Sequence, residues 1–469
     1  MSEALLRIYH RLPRPARWVA VTAVGWYLRS WRFGADSERL VAAALERDSW
    51  SAARWQAHQA SRLTYLLHRA ATRVPYYRDQ WNERRRNGDV SSWEVLANWP
   101  ILEKDVVRER ARDFVADDCD TRRMFEEHTS GTTGKPMTLW WSRETVREWY
   151  ALNEARARRW YGISRKDRWA IIGGRLIKPV TSRRPPYWVW NGPAKQLYMS
   201  AYHLAPDMMP AYLDALVRYR ITYLFGYSSG LHALAEAALR LKRTDVRLTV
   251  AITNAEPLLQ HQREAIAAAF GCPVRETYGL AEIVAGGSDC ERGTLHLWPD
   301  VGVVEAVNGT EAVRHGSLGD LVSTGLLNAD MPLIRYRTGD AIRLSGASCD
   351  CGRGMPVVEA LEGRSDDLVL TEDGREIGRL DPVFKQGLGI AEAQIIQETF
   401  TRFRLRYVLA DGPIGDVESE LRRRLQDRVG NVEVILERMD QIPRTAHGKF
   451  RPVVSHVSRR DRQPQVAVS

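Results

Sequence analysis

Residues 221–277 read ITYLFGYSSGLHALAEAALRLKRTDVRLTVAITNAEPLLQHQREAIAAAFGCPVRET. Ile221-Thr-Tyr-Leu-Phe225, Leu248-Thr-Val-Ala-Ile252 and Val274-Arg-Glu-Thr277 are β-branched or aromatic runs of strand length. Between them, residues 229–242 and 257–270 carry apolar side chains at helical spacing. Strand and helix in alternation predict two crossover units of a parallel sheet, hence an α/β fold. In such sheets ligands bind at the loops that follow the carboxyl ends of the strands.

Upstream, residues 1–120 read as helices broken by Pro13, Pro15, Pro75 and Pro100, an α-rich lead-in without strand-like alternation. Beyond about residue 320 the pattern turns strand-rich, with turn signals at Gly339-Asp340 and Asp373-Gly374. From about 367, Phe403-Arg-Leu-Arg-Tyr-Val-Leu409, a helix near 415–428 and Val432-Glu-Val-Ile-Leu436 predict a small α+β module. The expected division is 1–120 and 121–365 for a large body and 366–469 for a mobile C-terminal domain. A chain of 469 residues has length for such a body and appendage.

An apolar fraction of 44% with 16 Trp excludes a disordered chain, because there is ample surface to bury against the entropy of ordering. The net charge of +10 favours anionic partners, but 68 basic against 58 acidic residues leave both signs mixed. Nucleotide phosphates, an acidic substrate or an anionic membrane each fit, and no nucleic-acid partner is expected. The N-terminus lacks a signal-peptide pattern, which predicts a cytoplasmic protein. Trp18 to Leu28 is apolar but bounded by Arg29 and Arg32, short of the ~20 residues a span needs. It reads as a core helix or as a peripheral contact with the inner face of a membrane.

His128-Thr129-Ser130-Gly131-Thr132-Thr133-Gly134-Lys135-Pro136 crowds small residues, hydroxyls and one Lys into a loop. Backbone N–H groups at glycines, hydroxyl donors and an ammonium suit phosphate oxygens. It is not a Walker loop, since Pro136 stands where the metal-binding Ser or Thr would follow the Lys.

This loop is followed in order by Tyr278-Gly-Leu-Ala-Glu282, Thr338-Gly-Asp340, Gly363-Arg-Ser-Asp-Asp367 and Pro443-Arg-Thr-Ala-His-Gly-Lys449. Together these motifs resemble those of the adenylate-forming enzyme superfamily, nearest to its phenylacetate-CoA ligase and capsule-biosynthesis branch. The resemblance implies a large adenylating body, a small C-terminal domain, and ATP-dependent, Mg2+-assisted conversion of a carboxylate to its acyl-AMP. It implies that Thr129 to Lys135 hold the departing phosphates and that Tyr278-Gly279, beside Ala255-Glu256-Pro257, receives adenine. It implies further that Glu282 helps hold magnesium, Asp340 accepts from the ribose hydroxyls, and Arg364 belongs to the nucleotide site. Lys449 is then the catalytic cation between carboxylate and α-phosphate, and Asp366 the hinge. Taken singly, Tyr278 and Glu282 read better as ordinary packing and a solvated helix-start acid, and Asp340 also as part of a plain turn.

By the same resemblance the acid lies near Gly173-Gly-Arg175, Tyr187-Trp188 and Tyr227-Ser228, with Arg175 gripping a second anionic group or bracing a loop. Cys290, His296, Cys349 and Cys351 match the ligands of a structural Zn2+ in some relatives, although buried free thiols also fit. The expected partners are a small-molecule carboxylic acid and an acceptor nucleophile. After residue 367 the chain departs from the CoA ligases into a hairpin around Asp373-Gly374, which points to an amine or other non-CoA acceptor. Thioester formation, AMP retained on the product and a non-catalytic nucleotide-binding scaffold are the alternatives.

Overall fold

The computed structural model describes residues 14–129, 137–175, 177–179, 182–362, 369–377, 380, 383–384, 388–409, 416–440, 442–443 and 453–457. The expected Ser130–Gly134 and Lys135 phosphate loop, Arg364, Asp366 and Lys449 lie outside these residues.

The 221–277 units form as read, with shifted ends. Strands Tyr223–Gly226, Val250–Thr253 and Val274–Gly279 pair in parallel, joined by helices Ser228–Arg240 and Gln260–Phe270. The first helix stops before Lys242, whose φ of 52° is left-handed. The second starts three residues late because Leu259 N–H donates to the Gln262 side chain, closing the entry turn. Ile172, Leu224, Ala251 and Ile266 are buried between sheet and helices, so the apolar side chains that gave the periodicity form one core.

These strands belong to a 13-stranded sheet that is mixed rather than wholly parallel. Its parallel part is ordered Val274–Gly279, Val250–Thr253, Tyr223–Gly226, Trp169–Gly173, Gln196–Ser200, with Trp188–Asn191 antiparallel at the edge. The other side continues antiparallel through Gly286–Asp289, Leu295–Leu297, Val357–Glu362 and Tyr336–Leu344. The chain runs from Trp169–Gly173 outward to Gln196–Ser200, then returns to add Tyr223–Gly226 on the opposite side. The connections after Gly173 and after Gly226 therefore diverge, which is the topological switch point of the parallel strands.

The expected turn at Gly339-Asp340 is instead a β-bulge inside strand Tyr336–Leu344. Asp320 pairs with Ala341 while Val322 pairs with Arg337, so extra residues stand opposite Leu321. Gly339, at φ 88°, takes the conformation the bulge requires.

The lead-in is helical over Arg14–Arg32, Ser37–Arg47, Ala52–Arg73 and Pro75–Arg86. It is fastened by a buried ionic network. Arg156 Nε donates to Asp48 (2.8 Å) and its guanidinium forms an ion pair with Asp300 (2.5 Å), while Arg47 holds Asp300 from the other side (2.6 Å). The Asp373-Gly374 hairpin forms, pairing Val369–Leu370 with Glu376–Ile377. Beyond it, strands Glu433–Arg438, Arg402–Leu409, Ile390–Gln397 and Val453–Ser455 make a four-stranded sheet under helix Val417–Val429. Phe403, Leu405, Leu421 and Leu425 fill that core, and Tyr202 reaches into it from the turn Ala201–His203 that follows strand Gln196–Ser200.

Candidate active site

Two motifs far apart in sequence meet first. Tyr278 extends from the carboxyl end of its strand, and its Oη donates to Asp340 Oδ2 at 2.8 Å. The bulge sets Asp340: its N–H donates to Thr338 Oγ1, which is itself fixed to the Leu321 carbonyl. Burial, then the Asp340 carboxylate, pushes the Tyr278 phenol far above its ordinary range, so it stays a donor. Asp340 keeps acceptor capacity beyond this bond, as an ionised carboxylate has about four lone-pair sites.

Glu282 is not a solvated helix-start acid. It lies buried in the turn between strands Val274–Gly279 and Gly286–Asp289. Its Oε1 accepts from Lys104 Nζ at 3.1 Å and from Tyr336 Oη at 2.9 Å. Burial, the largest influence, would raise its pKa, but the Lys104 ammonium, the backbone N–H of Glu282 itself and the Tyr336 hydroxyl together outweigh it, and the carboxyl sits below its ordinary range. An ionised carboxylate held this way can share a divalent cation, and Lys104 and Tyr336 are the partners that sequence reasoning missed. Lys104 stands in the lead-in, 178 residues away, with no local motif to mark it.

Ala255, Glu256 and Pro257 follow the next strand. Ala255 is left-handed at φ 63°, turning the chain so that Glu256 Oε2 accepts from Ser229 N–H at 3.0 Å. The acid thus caps the helix Ser228–Arg240. Ser228 Oγ donates to the Pro257 carbonyl at 2.8 Å, so its hydroxyl is engaged inside the protein. Thr129 is buried and its Oγ1 accepts from Met137 N–H, so these two residues, which flank the expected phosphate loop, are joined. Glu276 also escaped the sequence reading. Burial, then the neighbouring Asp289, pushes its carboxyl up to about 7, two residues before Tyr278 on the same strand.

At Gly173 and Gly174 three tyrosines converge. A Cβ on Gly174 would stand 2.9 Å from Tyr227 Oη and 3.4 Å from Tyr202 Oη, and one on Gly173 would clash with Tyr198 Oη. Arg175 donates its N–H to Tyr198 Oη at 3.1 Å, and its exposed guanidinium lies over the Tyr198 ring. Tyr187, expected beside the acid, is instead buried in a stack with His203 and Tyr212.

Cys290, His296, Cys349 and Cys351 come together with all four ligand atoms within 4.8 Å of one another. Cys290 Sγ and Cys349 Sγ are 3.9 Å apart, and Cys351 Sγ lies 3.3 Å from His296 Nε2. Two thiolates on one tetrahedral zinc at ~2.3 Å bonds would be about 3.8 Å apart. His296 Nδ1 faces the Met355 carbonyl at 3.4 Å, which favours the tautomer that presents Nε2 to a metal. The donor set is one that zinc takes.

A family model described as the CapK C-terminal domain matches residues 369–456. Protein CapK of Staphylococcus aureus is 24% identical over 378 residues, 76% of this chain and 80% of that protein. The phenylacetate-coenzyme A ligase of Thermus thermophilus is 25% identical over 439 residues, 85% of this chain and 96% of its own. The enzyme of that name from Pseudomonas putida is 26% identical over 355 residues, 71% and 76% of the two chains. Among solved structures, 2-hydroxyisobutyryl-CoA ligase in complex with 2-HIB-AMP and CoA matches with a TM-score of 0.56. It is 22% identical over 87% of this chain and 91% of that one, a likeness of fold.

Proposed function

We infer, from the premise that this chain is an AMP-forming ligase of the adenylate-forming superfamily and its capsule-biosynthesis branch, that it makes an acyl-AMP from a small carboxylic acid and ATP. The observation that carries this reading is the bond between Tyr278 and Asp340, which joins the adenine and ribose motifs at one point beside Glu282. A carboxylate oxygen attacks the α-phosphorus, the bond to the β-phosphate breaks, and pyrophosphate leaves. Two anions must meet at that phosphorus, so preorganised positive charge is the main catalytic need. In this reading Lys135 and Thr129–Gly134 take the departing phosphates, and Lys449 bridges carboxylate and α-phosphate. Tyr278 packs on adenine, Ala255–Pro257 and Gly279 border it, Asp340 accepts from the ribose and Arg364 lies on the nucleotide. Glu282 would hold Mg2+, which supplies charge neutralisation at the phosphates. The chain divides near residue 365, and the module from 366 onward swings Lys449 into place about Asp366.

The acyl group then passes to an amine or another non-CoA nucleophile. The hairpin Val369–Leu370/Glu376–Ile377 favours this, since it occupies the place after the hinge where the thioester-forming state is shaped. CoA ligation is the second reading, favoured by the phenylacetate-coenzyme A ligases among the relatives. The Cys290, His296, Cys349 and Cys351 set holds a structural Zn2+. Residues 14–32 contact the inner face of the membrane peripherally, and among the described residues no helix is long and apolar enough to cross one.

ATP–pyrophosphate exchange against a panel of carboxylic acids tests the activation step whatever the acceptor. Acid-dependent exchange is expected; its absence across the panel would overturn the reading. Adding CoA to enzyme, ATP and the acid so found decides the acceptor, since rapid, saturable acyl-CoA formation would establish the second reading.

A further inference from the structure

Cys290 follows strand Gly286–Asp289 and His296 lies in Leu295–Leu297, while Cys349 and Cys351 come from residues 345–356, the connection between strands Tyr336–Leu344 and Val357–Glu362. Within that connection Ala347 N–H donates to Ser345 Oγ and Gly352 N–H to the Cys349 carbonyl, bonds that shape the loop without tying it to the sheet. Beyond the base of the loop, its ties to the sheet gather at the cluster. Cys349 Sγ faces Cys290 Sγ, Cys351 Sγ faces His296 Nε2, the Met355 carbonyl faces His296 Nδ1, and Arg353 donates to Glu291, the neighbour of Cys290, at 2.7 Å.

The far side of the same loop rests on the lead-in. A Cβ on Gly354 would stand 2.5 Å from the Trp50 carbonyl oxygen, 2.7 Å from Ala52 N and 2.8 Å from Ser51 C, so the two backbones touch where only glycine fits. Arg353 lays its guanidinium over the Trp160 ring, 4.2 Å from its centre, and Trp160 Nε1 donates to Asp48, the residue that ends helix Ser37–Arg47. Residues 48–51 join that helix to Ala52–Arg73, so the loop bears on the joint between two lead-in helices.

Resting on the zinc reading above, we propose that Cys290, His296, Cys349 and Cys351 form a metal-dependent clasp for the lead-in: closed on Zn2+, they hold residues 345–356 against the joint at 48–52, and without the ion that joint is released. A loop whose own bonds are internal is placed by its strongest outside ties, and four protein ligands on one ion supply them. The Arg156 ion pair holds Asp48 whatever the state of the cluster, so release is confined to the residues after it. Amides there report it directly. Trp50 N–H donates to the Arg47 carbonyl, Arg54 N–H to Ser51 Oγ and Trp55 N–H to the Ser51 carbonyl, bonds that open when the first turn of Ala52–Arg73 frays.

The test is hydrogen exchange read by mass spectrometry on zinc-loaded protein, on protein stripped with dipicolinate under reducing conditions, and on stripped protein given Zn2+ again. Amides of residues 49–55 should exchange ~10-fold or more faster after stripping and recover on reloading, while strands Tyr223–Gly226 and Arg402–Leu409 keep their rates. Gly354→Ala should loosen the same residues while zinc content stays at the wild-type level, because it opens the contact without touching a ligand. Arg353→Gln, which removes the cation from the Trp160 ring, should act in the same direction and serves if Gly354→Ala fails to fold. Equal exchange at 49–55 with and without zinc, or acceleration spread evenly over the large sheet, overturns the clasp and leaves the zinc reading standing. Zinc-free protein after gentle purification overturns both.

Discussion

In the mechanism proposed above, the ammonium of Lys449, the last residue of Pro443-Arg-Thr-Ala-His-Gly-Lys449, meets two anions at once. Lys449→Ala should abolish acid-dependent pyrophosphate exchange, by ~10² to ~10³ in rate or more, while ATP binding measured by calorimetry persists. Wild-type exchange in that variant would refute the role. Glu276 offers a second test through pH. Its folded-state pKa of about 7 lies above the ordinary 4.5, so its protonated form stabilises the fold. That contribution is complete below pH 4.5 and is lost as pH rises through 7, by up to about 3 kcal/mol. Glu276→Gln should flatten the fall in stability between pH 5 and 8, as measured by urea denaturation at each pH. An unchanged pH profile would show that Glu276 titrates normally. These two residues differ in legibility. Lys449 sits in a local motif that a reader of sequence can find, whereas the Glu276 carboxyl is perturbed by burial and then by Asp289, thirteen positions on, both of which only folding brings about.

At the scale of the element, the strands and helices of 221–277 were legible because each buries one periodic apolar face, and their ends slipped where caps and left-handed residues decided. The Gly339-Asp340 bulge was not legible, since a bulge and a turn ask for the same residues. The helix Arg14–Arg32 carries a feature of its own. It leaves Trp18, Val19, Trp26 and Tyr27 at 50, 70, 58 and 57% exposure, and holds four arginines with no acid. Aromatic rings with a polar edge beside cationic side chains fit an anionic bilayer surface. The protein should therefore co-sediment with vesicles containing phosphatidylglycerol and not with phosphatidylcholine alone. Trp18→Ser with Trp26→Ser should weaken that binding at least ~10-fold. Equal recovery with both lipids, or none with either, would refute the contact. The Cys290–Cys351 cluster joins a strand end to a loop 59 residues on, again a pairing that spacing alone leaves open. Purified protein should carry about one zinc per chain, and Cys351→Ser should lower Tm without changing which acid is chosen. Metal analysis without zinc in gently purified protein would dispose of the site.

Across the whole molecule, the lead-in and the sheet are locked by Arg156, whose guanidinium lies among the Trp55 and Trp298 rings and between two carboxylates. Arg156→Met would leave Asp48 to the Trp160 indole and Asp300 to Arg47, with no cation between the two buried carboxylates, at a cost of about 3–5 kcal/mol. The midpoint of urea unfolding should fall accordingly, and a midpoint within error of wild type would show the network to be neutral. The C-terminal module is tied to the sheet by a different device. Arg375, from the hairpin, donates to the carbonyls of Arg428 and Val429 at the end of helix Val417–Val429 and also to the carbonyl of Tyr202. Tyr202 thus sets its hydroxyl against Gly174 while its ring belongs to the core of the module. A graft that exchanged residues 369–456 for the equivalent stretch of a relative would carry away the socket around that ring. Recombination between lineages must therefore move the two pieces together or repair the seam, and the turn that carries Tyr202 and the C-terminal module are expected to be inherited as a single unit.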